Sequence, residues 1–373
     1  MGLGAHLPYW PVWLAAWGLS QAEVAAYLGA GLFVRLVANA VLSALADRYA
    51  VRRAMLGVCG LVAAGVFAAH LAAGSRAELF LLTLLVTATL SPMIPLGEAL
   101  GVRACLRHGL VYAHVRAAGS IAFLAANVGV GAGIASLGPD LALWTIAASC
   151  LAAAALGLAH PGGGAPPGGG IDTARLREGL AMAADRRMLL FVAAAAFGQA
   201  SHAVYFVYAS IDWAGRGIGS DVIGWLWATG VIAETALMLG PGAAWVARIG
   251  PALALGAGAM AGILRWGLMA AEPGLAMLWP LQALHAFTFA FAHLGAMAFV
   301  AAHVPERLQA TAQGGLIATA TGTLIALATL AAGPVAEGAG ISAAYGLAAA
   351  MSATALVAAA MLMREMRLSP AQP

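Results

Sequence analysis

Runs of about twenty apolar residues recur along almost the whole chain, and no soluble fold can bury that many. Each run is long enough to cross a hydrocarbon core of ~30 Å as a helix rising ~1.5 Å per residue. The polar material needed to cover a water-facing surface is also missing, since 62% of the 373 residues are hydrophobic and 9% are charged. A transmembrane β-barrel would show alternating segments of ~10 residues, and these are absent. The fold class is therefore an all-α polytopic membrane protein. Hydropathy predicts twelve transmembrane helices, at about 1–17, 22–45, 54–72, 78–101, 113–136, 140–159, 187–211, 220–244, 252–271, 275–302, 310–334 and 339–363. The opening MGLGAHLPYWPVWLAAW reads as most of a first helix without its cytoplasmic end, so that helix is either short or N-terminally truncated. No basic n-region with a cleavage site accompanies it.

The sixth and seventh predicted helices are separated by HPGGGAPPGGG and then by the charged stretch IDTARLREGL. The first reads as a linker and the second as a short surface helix. This punctuation divides the chain into an N-terminal six-helix half (1–160), a cytoplasmic linker (161–186) and a C-terminal six-helix half (187–373). All 18 basic residues are arginine, and their placement orients the bundle. Arg48, Arg52, Arg53, Arg103, Arg107, Arg116, the linker arginines, Arg248, Arg307, Arg364 and Arg367 fall at one set of helix ends. The opposite loops carry Arg76 and Arg216 beside Glu23, Glu78, Asp140, Asp221, Glu272 and Glu337. The positive-inside rule makes the linker and the C-terminus cytoplasmic, in a multi-pass protein of a bacterial-type inner (plasma) membrane. Two six-helix halves joined by a cytoplasmic linker form the hydropathy pattern of a secondary transporter.

The absence of lysine removes a Walker A lysine and argues against ATP-driven pumping by this chain. Cys59, Cys105 and Cys150 lie in or beside apolar runs without paired spacing and read as small buried hydrophobes. The sequence has no HExxH, no GxSxG and no paired intramembrane aspartates, which argues against an intramembrane enzyme.

A charged side chain at mid-bilayer costs at least ~2.5–3.5 kcal/mol and faces a partner or a water-filled cavity. Few such groups exist here. Arg35 lies in the second predicted helix, ~20 Å from its start. Glu234 is near the middle of the eighth, Arg265 in the outer half of the ninth, and His285 and His293 share the tenth. Consecutive helices carry Glu234, Arg265 and His285 at similar depth, so the three are expected to converge. Glu234 would offset Arg265, with His285 beside them able to hold or release a proton near neutral pH. The competing reading is a fixed ion pair that only locks two helices together. His285 and His293, eight residues apart, are about 80° apart around a helix, so His293 is the weaker candidate. A metal site is not expected, because no carboxylate or cysteine joins them at ligand spacing.

The N-terminal half offers PLGEALGVRACLRHGLVYAHVRAAGSIAFLAANVG, where Pro92 and Pro95 kink the approach to Glu98 and Arg116 opens the next helix. The pair either binds solute or forms a salt bridge at the cytoplasmic mouth. In GQASHAVYFVYASIDW, Gln199, His202 and Tyr205 share a stripe, with Tyr208 nearby, suited to an amphipathic aromatic pocket.

The segments LPYWPVWL, PLGEAL…YAHVRAAGSIAFLAAN, QASHAVYF, GWLWATGVIAE, ILRWG and LHAFTFAFAHLGAM resemble the 3-phenylpropionate permease family of the major facilitator superfamily. The loop SALADRYAVRR resembles that superfamily's signature between helices 2 and 3, with Ser43 and Ala50 standing where glycine is usual. The family is itself similar to proton-coupled sugar and nucleoside symporters such as lactose permease. That resemblance implies a sugar-holding role for the glutamate and arginine matched by Glu98 and Arg116. It implies substrate and proton-coupling roles for Glu234, Arg265 and His285. One departure stands out: Thr288 occupies the position where lactose permease carries its proton-bearing glutamate. A proton carrier would then be Glu234 or His285.

The expectation is a secondary active transporter for proton-coupled uptake of a small organic solute, by resemblance an aromatic or other small carboxylate such as phenylpropionate. Its site is expected between the two halves. A proton-coupled sugar or nucleoside symporter, a proton-antiport effluxer and a transport-dead sensor are the rival readings. The candidate substrate contacts are Glu98, Arg116, Arg35, Asn39, Asn127, His202, Tyr205 and Trp227, and the candidate coupling residues are Glu234, Arg265, His285 and His293. Expected partners are a small-molecule substrate, protons and the lipid bilayer, without cofactor, metal or nucleic acid, and the chain is expected to act as a monomer.

Overall fold

A computed structural model of the chain describes residues 1–160, 178–179 and 181–368. Most of the expected linker, 161–186, lies outside the described residues. Among the described residues there is no strand, and eleven helical stretches are long and apolar enough to cross a membrane. The first helix, α1 (Gly2–Ala16), has 15 residues, short of the ~17 that a span needs.

The chain forms two compact units, one of residues 1–170 with 209–225 and the other of residues 171–208 with 226–373. The first unit contains α1, α2 (Gln21–Arg48), α3 (Arg52–His70), α4 (Arg76–Leu90), α5 (Met93–His108), α6 (Tyr112–Leu137) and α7 (Asp140–Ala159). Local chemistry sets where these begin and end. Ser20 accepts the Glu23 amide while the Glu23 carboxylate accepts the Ser20 amide, a capping box that starts α2. At its other end, Ala50 N–H donates to the Asp47 carbonyl and Val51 N–H to the Ala46 carbonyl, at 3.2 and 2.9 Å. This Schellman closure puts Ala50 at φ +55°, a conformation that glycine adopts without strain and alanine does not. Asp47 also pairs with Arg52, so the loop is tied from both sides.

The predicted helix 78–101 is in fact two, because the chain breaks at Ser91–Pro92, where proline can donate no amide hydrogen. The predicted 187–211 is also interrupted, at Ser201–His202, giving α8 (Arg186–Ala200) and α9 (Ala203–Gly215). After it come α10 (Ser220–Leu239), the short α11 (Gly242–Ile249) and α12 (Pro251–Ala270). The tenth predicted helix comprises α13 (Leu275–Ala283), a π-helical segment (Ala286–Phe291) and α14 (Ala292–His303). The eleventh likewise holds α15 (Glu306–Ala310), a second π-helical segment (Thr311–Ile317) and α16 (Ala318–Ala339), followed by α17 (Ile341–Leu368).

Within the second unit, α12 packs along α17, and α17 along α8. Its core is apolar, with Phe191 stacked on Phe299 at 4.0 Å and Met188, Val300 and Leu362 around them. Within the first unit, α3 packs on α7 and α1 on α6 and α7. One crossing there is unusually tight. Tyr9 of α1 donates its hydroxyl hydrogen to the Asn127 carbonyl at 2.7 Å and lies 3.2 Å from the Ser220 carbonyl. Ser220 Oγ donates to the Gly131 carbonyl at 2.7 Å. A methyl group added at Gly131 would sit 2.4 Å from the Ser220 carbonyl oxygen, and one at Gly224 the same distance from that of Asn127. Only glycine lets the first turn of α10 seat on α6 this closely.

Candidate functional site

Arg265 of α12 is fully buried, so water does not stabilise its charge. Its partners are side chains. Nη2 donates to Gln282 Oε1 at 2.9 Å, and Nη1 donates to His285 Nδ1 at 3.0 Å and to Thr288 Oγ1 at 3.1 Å. The guanidinium carbon lies 4.4 Å from the Trp266 ring centre and 4.8 Å from that of Tyr205, where the ring quadrupoles attract a cation.

Guanidinium groups only donate, so each of these partners must accept. That condition orders the protons of the cluster. His285 Nδ1 accepts and carries no hydrogen, so its neutral ring carries one on Nε2. Nε2 lies 3.2 Å from Glu234 Oε2 and donates to it. His202 Nδ1 faces the Gln199 carbonyl at 3.1 Å and must donate; its Nε2 then accepts the Thr288 hydroxyl hydrogen at 3.1 Å. Thr288 thus takes one hydrogen bond from Arg265 and gives one to His202. Gln282 must turn its oxygen, not its nitrogen, toward the arginine.

The sequence reading expected Glu234 to face Arg265 directly. The structure instead inserts His285, whose two ring nitrogens address the arginine and the glutamate. The positive and negative charges are joined through a neutral imidazole.

The π-helical segment Ala286–Phe291 changes a second expectation. In a straight α-helix His285 and His293 would stand about 80° apart; the extra residue held in a π turn takes back about 100° and leaves them ~20° apart. His285 is buried, whereas His293 is exposed. Gln199 Nε2 donates to the Phe289 carbonyl at 3.4 Å. His285 stacks on Phe289 at 5.1 Å.

Other predicted residues of this unit belong to the same cluster. His202 is fully buried beside Trp266 and His285, with ring centres 5.2 and 5.3 Å away. Trp227 packs on Tyr205 at 4.5 Å, and both are buried. Gln282 was not singled out from sequence, although a glutamine three residues before His285 in an apolar helix is the signal that could have found it. Thr288 drew notice only as a departure from a familiar pattern.

In the first unit the predicted residues do not form one cluster. Glu98 Oε1 and Arg116 Nε approach to 3.6 Å in an open setting, with side-chain exposures of 44% and 59%. Asn127 is fully buried and its side-chain amide has no hydrogen-bond partner. Arg35, the fifteenth of the 28 residues of α2, is exposed. Asn39, one turn on, keeps its Oδ1 buried and unpartnered. Among the described residues there is no group of three or more metal-ligating side chains.

Comparison with known proteins completes the picture. The chain is 30% identical over 327 residues to the probable 3-phenylpropionic acid transporter of Escherichia coli (strain K12), covering 85% of each. Among solved structures, the nucleoside transporter NupG superposes with a TM-score of 0.82 at 18% identity, over 98% of this chain and 96% of that one. The D-xylose-proton symporter superposes with a TM-score of 0.68 at 14% identity, over 96% of this chain and 93% of that one. The MFS_1 like family model matches residues 2–346. The chain therefore belongs to the MFS_1 like family, a branch of the major facilitator superfamily of membrane transporters.

Proposed function

We propose that this transporter couples proton entry to the uptake of a small organic carboxylate, with an aromatic acid such as 3-phenylpropionate as the substrate class. The observation that carries the coupling is His285 standing between Arg265 and Glu234. Its logic follows from which atoms can hold a proton. A proton on Glu234 cancels the negative charge and weakens the bond from His285 Nε2. A proton on His285 Nδ1 cannot coexist with the hydrogen bond from Arg265 and would drive the guanidinium off. The cluster thus has two arrangements that differ by one proton, which is what a coupled carrier requires. The printed name of the E. coli relative supports an aromatic acid as substrate. The protein would work as a monomer in the inner (plasma) membrane, with its C-terminus cytoplasmic.

The test is uptake of labelled 3-phenylpropionate into proteoliposomes under an imposed pH gradient. Wild-type protein should accumulate it, and a protonophore should abolish accumulation. Glu234→Gln should lose accumulation while still exchanging internal for external substrate, because exchange needs no net proton release. Accumulation that survives the protonophore, or a Glu234→Gln protein that concentrates substrate normally, would sink the coupling role and leave the cluster a structural lock.

A further inference from the structure

Arg35 and Arg265 both lie within membrane-spanning helices, and they are handled in opposite ways. Arg265 is enclosed by Gln282, His285, Thr288 and two aromatic rings. Arg35 is at the middle of α2, roughly 21 Å from either end at ~1.5 Å per residue, yet no carboxylate pairs with it among the described residues. The nearby acidic side chains of that unit are engaged elsewhere: Glu23 with Arg76, Asp47 with Arg52, and Glu98 with Arg116.

Its side of α2 is not the one that suits lipid. The lipid face of α2 is marked by Val37 and Val41, 65% and 48% exposed. Arg35 is two residues before Val37, about 160° around the helix from it. Buried Gly31 and Ala38 flank it instead, within about 40° and 60°. Asn39 shares this inner face. Helix α1 packs against α2, and on α1 the His6 ring stacks on Trp10 at 6.1 Å and meets Phe67 edge-on at 6.2 Å. A guanidinium halfway along a membrane helix, with no anion of its own, is incomplete without a ligand.

Resting on the carboxylate-uptake reading above, we infer that Arg35 is the anchor for the substrate carboxylate, with His6 and Asn39 completing an anion subsite inside the first unit. A planar fork matches a carboxylate with two parallel hydrogen bonds. Asn39 can turn its NH₂ toward the second lone pairs of that carboxylate. The His6 ring closes the side nearest α1 and continues into the rings of Trp10 and Phe67. Arg116, by contrast, already has Glu98.

The experiment compares 3-phenylpropionate with its uncharged isostere, 3-phenylpropanamide, by calorimetric titration of the purified full-length protein. Wild-type protein should bind the acid at least ~30-fold more tightly than the amide, as expected when charge-assisted hydrogen bonds are lost. Arg35→Gln should bind both compounds alike, and Arg35→Lys, which keeps the charge without the fork, should recover part of the preference. His6→Ala should weaken the acid less than Arg35→Gln does. A glutamine variant that retains the full acid-over-amide preference overturns the anchor and leaves the uptake reading standing. A wild-type protein that binds neither compound overturns the uptake reading, and the anchor with it.

Discussion

Thr288 shows how much one hydroxyl can carry. It accepts from Arg265 and donates to His202, so it joins two otherwise separate buried polar groups. Valine has nearly the same shape and none of this capacity. In Thr288→Val, a buried arginine donor and a buried histidine acceptor lose their partner, at a cost of about 1–3 kcal/mol each. The thermal midpoint in detergent should fall measurably, and pH-driven accumulation should fall with it. Thr288→Ser, which keeps the hydroxyl, should retain both. Equal midpoints for the valine variant and the wild type would mean that the bonds contribute nothing net. Burial decides the sign: the same threonine on a lipid-facing stripe would be replaceable.

Helices in this protein approach one another through glycine, and α6 offers a paired test. Gly129 and Gly131 are two residues apart; a methyl at Gly129 meets nothing within 4 Å, whereas one at Gly131 collides with the Ser220 carbonyl and the Tyr9 hydroxyl. Gly129→Ala should therefore be neutral or stabilising by up to ~1 kcal/mol, since alanine is the better helix former. Gly131→Ala should destabilise by about 1–3 kcal/mol, because the opposing atom is backbone and cannot rotate away. Thermal unfolding of the two purified variants beside wild type reads the difference directly, and identical midpoints would refute the close crossing. The π-helical segment Ala286–Phe291 belongs to the same scale: it narrows the ~80° that a straight α-helix would put between His285 and His293. Hydropathy averaged over a window cannot register such a change, because composition is the same whether a turn is α or π.

For the whole molecule, much was legible because the bilayer is so demanding a solvent. The apolar runs placed the eleven membrane-spanning stretches to within several residues, while the first of the twelve expected helices is too short to cross, and the depth of Arg265, Glu234 and His285 along their helices was enough to expect convergence. Which atom met which was not legible, since it depends on rotation about each helix. Hence His285, not Glu234, turned out to accept from Arg265, and Gln282 passed unnoticed in an apolar run. The breaks at Ser91–Pro92 and Ser201–His202 show the same limit: proline announced the first, while nothing in the hydropathy announced the second. Sidedness can be measured directly. The native cysteines are buried, so introduced ones should report cleanly. His108→Cys, beside the arginine-rich ends, should react with an impermeant maleimide only after right-side-out vesicles are opened, and Ala72→Cys should react from outside at once. The reverse pattern would invert the topology. The tight crossing of α1, α6 and α10 bears finally on the order in which the protein is made. Tyr9 and Asn127 leave the ribosome long before Ser220 and Gly224, yet the first unit includes residues 209–225. That unit cannot finish when its own last linker-side helix, α7, has been synthesised. Tyr9 must wait through α8 and α9 for a carbonyl that arrives some 211 residues later, so a nascent chain halted before α10 holds a first unit that is inserted but not yet closed.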